Sequence, residues 1–315
     1  MLKIKKNEVF LKDHTSFKVG GPCNFFADTR SLEDIKNALF FSKEMKIPFI
    51  VMGEGTNILV SDSGFDGLII KISLDDYYFD EDLLVSEAGT HLGDLVNSTI
   101  NKELSGLEWA GGLPGSLGGA VRGNAGAFGK CIADNVTKVT FMTPDGELHI
   151  KDNKECNFGY RNSFFKQNPS IITHVEIKLE KGDPEEIKKS IFKNISYRVK
   201  SHPIEYPCAG SIFKNIDNPQ EVSKLINTFP ELQELSQKWK GKVTAAFLLE
   251  KSGLKGYMMG GAQVSPKHSN FIINANNAKS IDIYNLINLC KKNVSSKFGI
   301  RLEPEIQLIG FNSKE

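Results

Sequence analysis

Three short segments carry side chains that could do chemistry. Phe158 to Ser163 holds Arg161 beside Tyr160, Cys208 to Asn215 holds Ser211 and Lys214, and Leu302 to Ile306 holds Glu303 and Glu305. An arginine fork suits a carboxylate or a phosphate through paired hydrogen bonds. A serine after a glycine can donate a proton or a hydrogen bond, and a glutamate can act as an acid. Each has a plainer reading as well: a salt bridge for Arg161, a turn hydroxyl for Ser211, a solvated strand end for the glutamates. Singly, the residues favour the plainer readings.

Two loops could hold what those side chains act on. Gly112 to Gly129 packs seven glycines and one proline into eighteen residues, in a chain with 28 glycines in 315. Glycine allows positive φ and lets another group reach the backbone amides, at an entropic cost that a plain connector would not need. A run of uncovered N–H groups is a cradle for phosphate oxygens, and the alternative is a glycine turn packed under a sheet. Gly53 to Asn57 is a second polar loop, between the apolar runs Phe49 to Met52 and Ile58 to Val60, with Thr56 and Asn57 as side-chain donors. A ligand loop and a hairpin turn fit it equally.

The elements that must position these residues are short and mixed. Ser31 to Lys46 reads as a helix with Ser31 and Asp34 as a capping box, and Pro48 forces the exit. Strands follow at Phe49 to Met52, Leu68 to Ile72 and Leu83 to Glu87, then a helix from Leu92 to about Lys102. Val136 to Met142 and Glu147 to Ile150 flank a Thr-Pro-Asp-Gly turn. Asp183 caps a helix to Val199 with Pro184 in its first turn and Ile187, Ile191 and Ile195 inward, which leaves Lys188, Lys189 and Lys193 as a solvated face. Residues 201 to 207, with two prolines, mark the best domain boundary. Beyond it, Val243 to Ser252 is a helix, Phe271 to Ile273 a strand, Ser280 caps a helix to Phe298, and Ile306 to Ile309 is a final strand. Pro219 to Lys242 reads as a surface helix or an arm over a ligand.

Composition narrows the class. Lys and Arg total 39 against 38 Asp and Glu, a net charge of +1, so no bulk field favours nucleic acid or an acidic membrane. The first residues lack a signal-peptide core, and no apolar run would span a bilayer, so the expectation is a cytoplasmic protein with no membrane, nucleic-acid or obligate protein partner. Five separated cysteines without a CxxC pair argue for reduced thiols, with Cys208 the one to watch. The six histidines do not cluster, so no metal site is expected. The chain has no P-loop, HExxH or GxSxG pattern, and its glycine loop is not a dinucleotide fingerprint of the regular βαβ kind.

Together and in order, the segments resemble one family. Gly53 to Asp62, Gly112 to Ala120 with Asn124 to Gly129, Tyr160 to Ser163, Ala209 to Asn215, Gly253 to Gly256 with Gly260 to Ser265 and Lys267 to Asn274, and Leu302 to Ile306 are similar to the motifs of the UDP-N-acetylenolpyruvoylglucosamine reductases. Asp13 to Gly21 resembles that family's N-terminal signature. The likeness runs from about His14 to Gly310. It implies an α+β fold of the vanillyl-alcohol-oxidase type, with FAD held non-covalently by two N-terminal subdomains (residues 1–75 and 76–204) and a substrate-binding C-terminal domain (205–301). The strand within 302–315 is expected to pack near the second subdomain.

The resemblance also implies the reaction: hydride from NADPH passes by way of FAD to the methylene of an enolpyruvyl ether, and a proton goes to the adjacent carbon, giving UDP-N-acetylmuramate for peptidoglycan. Charge builds on the carboxylate, which calls for preorganised positive charge or acidic donors. The implied catalytic residues are Arg161, Ser211 as proton donor helped by Lys214 or a water, and Glu305 rather than Glu303. The FAD loops would supply Gly53, Gly55, Thr56, Asn57, Pro114, Gly115, Ser116, Gly118, Gly119, Asn124 and Gly126. Tyr160, Lys214, Asn215, Lys255 and His268 would meet the UDP-sugar substrate. Glu54 replaces the family's usual glycine and would repel the pyrophosphate unless its side chain points away; Ile216 and Gln307 also depart from the pattern. The stretch from Ser163 to Ile191 has no room for the tyrosine-bearing insertion of longer members, so the chain resembles the shorter class. The rivals are a small-alcohol oxidase on the same fold and a flavin-binding scaffold without catalysis.

Overall fold

The computed structural model describes residues 2–311, so Met1 and residues 312–315 of the stretches named above lie outside the described residues. The chain divides into two compact units, the first of residues 1–9, 22–55 and 65–200, the second of residues 10–21, 56–64 and 201–315. The proline-marked stretch from residue 201 begins the long part of the second unit.

The first unit contains two sheets. One has the order Ile4–Phe10, Pro22–Thr29, Phe65–Ile72, Phe49–Met52, with the last three strands parallel. Phe65–Ile72 is one of its two interior strands, and Leu68, Ile69 and Ile70 are all buried, as a parallel strand covered on both faces requires. The helix Leu32–Met45 packs on it. Ser31 Oγ accepts from Asp34 N–H at 3.1 Å, and Lys46 closes the helix in the left-handed region before Pro48. The second sheet is antiparallel, in the order Leu148–Asp152, Val136–Met142, Ile171–Lys178, Leu83–Glu87, Tyr77–Asp80. Helices Leu92–Asn101 and Pro184–Ser201 bury Leu92, Leu95, Ile187 and Ile191 in the same core as Leu68 and Val175. Asp183 Oδ1 accepts from Glu185 N–H and Glu186 N–H at 2.9 and 3.0 Å, satisfying two donors that a helix start leaves open. Lys188, Lys189 and Lys193 are exposed.

The second unit packs the helix Ser280–Phe298 on a small sheet of Met258–Met259, Ala262–Val264 and Ile272–Asn274. Residues 219–242 contain two helices, Pro219–Thr228 and Leu232–Lys238, which bury Val222, Leu225 and Leu232 in this unit's core. Ile58–Val60 runs parallel to Gln307–Ile309, with Ile58 opposite Gln307.

The final strand, Gln307–Ile309, pairs with Ile58–Val60. Two sequence expectations are corrected here. Gly53 to Asn57 is not a hairpin turn, because Phe49–Met52 pairs with Phe65–Ile72 while Ile58–Val60 pairs with Gln307–Ile309. Ser280 is the first helical residue rather than the cap. Its N–H donates to both carboxylate oxygens of Asp62 at 3.0 and 2.9 Å, and its Oγ accepts from Asp62 N–H at 2.7 Å, a reciprocal clasp between positions far apart in sequence.

Gly21 shows how tightly the second unit's N-terminal segment is seated. Its N–H donates to Ser61 O at 2.8 Å, and a Cβ added there would lie 2.1 Å from Asp62 O and 2.6 Å from Gly64 N. Backbone on both sides cannot retreat as a side chain would. Gly21→Ala is therefore expected to destabilise the protein by about 2 kcal/mol, measured as a lowered urea midpoint; an unchanged midpoint would refute the close approach.

Candidate active site

The glycine loops are brought together in the first unit. Strand Phe49–Met52 delivers Gly53 against Ser116, and a Cβ at position 53 would stand 2.4 Å from Ser116 Oγ. That hydroxyl is occupied as the cap of the short helix Leu117–Arg122, accepting from Gly119 N–H at 3.4 Å. Gly115, at φ 121°, turns the chain so that its carbonyl accepts from Leu92 N–H at 2.9 Å. Leu117 N–H and Gly118 N–H then donate to Thr90 O and Ala88 O at 2.9 and 2.8 Å. The loop is thus stitched to residues 88–92, while Pro114 and Gly119 remain exposed. Gly55 has φ 64°, and with it the first unit's share of the other loop ends.

The base of the large loop is held by residues that sequence reasoning missed. Arg198 is buried, donating from Nε to Gly111 O at 2.9 Å and from Nη2 to Trp109 O at 3.3 Å. Asn194 donates to Glu108 O at 2.8 Å. Both continue the buried face begun by Ile187 and Ile191, and polar residues at helical spacing on an apolar stripe were the available signal.

The far end of the loop is tied to the segment carrying Arg161. Asn124 Nδ2 donates to Gly159 O at 2.8 Å, Ser163 Oγ to Arg122 O at 2.7 Å, and Arg161 Nη2 to Gly126 O at 3.2 Å. Asn124 Oδ1 also accepts from Ala133 N–H at 3.3 Å. Arg161 itself has φ 53°, a conformation uncommon outside glycine. Its carbonyl accepts from Lys166 Nζ at 3.0 Å, and its guanidinium lies over the Tyr160 ring, 5.4 Å from the centroid. Tyr160, Arg161, Asn124 and Gly126 therefore form one connected group.

A second group assembles in the second unit. Residues 212–214 pair with 303–305: Glu305 N–H donates to Ile212 O at 2.7 Å and Lys214 N–H to Glu303 O at 2.9 Å, with Phe213 facing Pro304. Asn270 clamps Phe213 from the other side, accepting from its N–H at 3.0 Å and donating to its carbonyl at 2.8 Å. Asn57 bridges the strand end, with Nδ2 donating to Glu305 O at 3.3 Å and its carbonyl accepting from Gln307 N–H at 3.0 Å. Ser211 precedes this frame directly, after Gly210 at φ 72°. Lys214 Nζ is 2.9 Å from Glu303 Oε2. Glu303, with a side chain 71% exposed, is thus a salt-bridge partner, whereas Glu305 is half-buried.

The remaining sequence-derived residues of this unit engage separate partners. Asn215 Oδ1 accepts from Ala245 N–H at 3.1 Å at the start of the helix Ala245–Lys251, and Lys255 Nζ lies 3.2 Å from Glu250 Oε1. His268 packs against the stacked pair His202 and Phe271, with centroids 5.4 and 4.8 Å away. Its Nδ1 accepts from Asn270 N–H at 3.2 Å, so Nε2 carries the proton of the neutral ring. Burial first, and Lys255 after it, push the imidazole below its ordinary value. Burial likewise raises the Cys208 thiol, which makes it a poor nucleophile near neutral pH. Among the described residues no group of three or more His, Cys, Asp or Glu could hold a metal ion, and no helix is long and apolar enough to cross a membrane.

Comparison with known proteins matches residues 24–150 to an FAD-binding domain family and residues 202–309 to the C-terminal domain of UDP-N-acetylenolpyruvoylglucosamine reductase. The chain is 38% identical over 312 residues to the UDP-N-acetylenolpyruvoylglucosamine reductase of Caldanaerobacter subterraneus subsp. tengcongensis, covering 98% of this chain and 95% of that one. It is 35% identical over 310 residues to the protein of the same name from Clostridium novyi, covering 98% and 93%. Among solved structures, UDP-N-acetylenolpyruvylglucosamine reductase from Thermus caldophilus is similar with a TM-score of 0.78 at 30% identity, covering 98% of this chain and all of that one.

Proposed function

Because the chain belongs to the UDP-N-acetylenolpyruvoylglucosamine reductase family, we propose that it reduces UDP-N-acetylglucosamine enolpyruvate to UDP-N-acetylmuramate with NADPH and FAD, through the groups assembled around Arg161, Ser211 and Glu305. FAD supplies the hydride relay. The glycine loops fit its pyrophosphate: a Cβ at Gly53 would strike Ser116, Gly115 needs a conformation that side chains rarely adopt, and Pro114 and Gly119 keep the loop surface open. Gly53, Gly55, Thr56, Asn57, Gly118, Asn124 and Gly126 are assigned to the same two loops.

The observation that carries this reading is the hydrogen bond from Arg161 to Gly126 O, which anchors a cation to the glycine loop itself. Arg161 is assigned to the substrate carboxylate, where its charge stabilises the enediolate character that develops as hydride adds to the terminal methylene. Ser211 delivers the proton that completes the reduction. Glu305 acts as acid, its backbone fixed by Ile212 and Asn57. Lys214 meets Glu303, so assistance to Ser211 is assigned to a water rather than to that lysine. Tyr160, Lys214, Asn215, Lys255 and His268 are assigned to the UDP-sugar. His268, being neutral, would offer a hydrogen bond and not a charge. We assign the reaction to the cytoplasm.

The test is a visible absorption spectrum of the purified protein, followed by NADPH oxidation with and without the enolpyruvyl substrate. A flavin band and substrate-dependent oxidation are expected. A colourless protein, or oxidation sustained by oxygen alone, would overturn the reading.

A further inference from the structure

Glu54 places a carboxylate inside a loop that takes an anion, and the structure shows what offsets it. Phe49–Met52 is in register with Phe65–Ile72, so Met52, two residues before Glu54, lies opposite Lys71. Lys71 is fixed at its carbonyl by Thr29 Oγ1 at 2.8 Å, and its Nζ is 3.1 Å from Glu54 Oε1. The two side chains are only 21% and 26% exposed, so water screens the pair less than it would a surface ion pair. His91 Nε2 lies 3.9 Å from Glu54 Oε2, on the residue that bridges to Ser116 of the second loop. The carboxylate is therefore paired with the Lys71 ammonium and approached by the His91 ring from a neighbouring segment.

We propose that Lys71 is a positioning residue for FAD, pairing with the Glu54 carboxylate so that it neither repels the pyrophosphate nor competes with it for donors. Freed from Lys71, Glu54 would oppose the cofactor in two ways: its charge would repel the phosphates, and its oxygens would compete with them for loop N–H donors. Lys71 thus contributes to affinity through Glu54 and needs no contact of its own with the cofactor. The inference rests on the assignment of Gly53 to Asn57 as an FAD loop.

The experiment is a double-mutant cycle read as the FAD dissociation constant, from quenching of flavin fluorescence on titration into apoprotein. Lys71→Met is expected to weaken FAD by about tenfold at low salt, and the deficit should shrink as salt screens the repulsion. Glu54→Gln should bind FAD at least as well as the parent. The double variant should return to within about twofold of Glu54→Gln, and Lys71→Arg should retain parental affinity. Thermal unfolding of each apoprotein reports whether the variant is folded. A double variant as weak as Lys71→Met, or a Lys71→Met apoprotein that is folded and binds like the parent, would overturn the inference. Failure of the parent protein to bind FAD would instead overturn the loop assignment on which it depends.

Discussion

Ser211→Ala will retain FAD and will still be reduced by NADPH at the parental rate, while reduction of the enolpyruvyl substrate slows by about a thousandfold. The split follows from where the serine acts. The proton is needed only when the substrate is reduced, and a general acid contributes to that step alone. Glu305→Gln should show the same split, whereas Glu303→Gln, which removes the exposed partner of Lys214, should change the rate little. Stopped-flow measurement of the two half-reactions separates these cases. If Ser211→Ala slowed reduction by NADPH as much as reduction of the substrate, the proton-donor assignment would fail. The contrast between the two glutamates rests on geometry: Glu305 lies in the frame closed by Ile212 O and Asn57 Nδ2, and Glu303 faces solvent.

The second large effect is structural. Arg198→Met should destabilise the protein by about 3 kcal/mol, because two hydrogen bonds from a buried guanidinium are lost and the carbonyls they served remain. Arg198→Lys should recover only part, since an ammonium cannot reproduce the fork that reaches both Gly111 O and Trp109 O. The released carbonyls lie immediately before the glycine loop, so flavin retention during gel filtration should fall in parallel with the urea midpoint. A variant with the parental midpoint and full flavin content would refute the role given to this arginine. Burial pushes the Arg198 guanidinium below its ordinary value.

Local signals are legible in the sequence, and distant ones less so. Ser31 and Asp183 mark helix starts through bonds to residues two or three positions away, and Pro184 does so through its fixed φ; such signals are visible in a one-dimensional string. The loop from Gly112 to Gly129 is legible for the same reason, since its glycines answer to backbone geometry. Ser280 misled because its partner is Asp62, on another segment. The run Ile58–Val60 looks like the return strand of a hairpin until its partner, Gln307–Ile309, is known. Strand pairing is a tertiary choice, and short apolar runs do not state it. Arg198 and Lys71 share a further cause: a charge in an amphipathic pattern reads as solvated unless the carbonyls or carboxylate it meets are known.

The clasp of Asn57 on Glu305 joins positions separated by 248 residues, and the Ile58–Val60 strand finds its partner at residues 307–309. Phe17 and Leu59, wholly buried in the second unit's core, come from early segments of the chain, whereas most of the residues that cover them come after position 201. During synthesis these apolar side chains must wait for most of the protein to emerge. Contacts of such range form late and slow folding, because loop closure must be met before they can stabilise anything. The nascent chain therefore carries uncovered apolar surface until Gln307–Ile309 arrives, and the same stretch of chain brings Glu305 to Ile212 and Asn57.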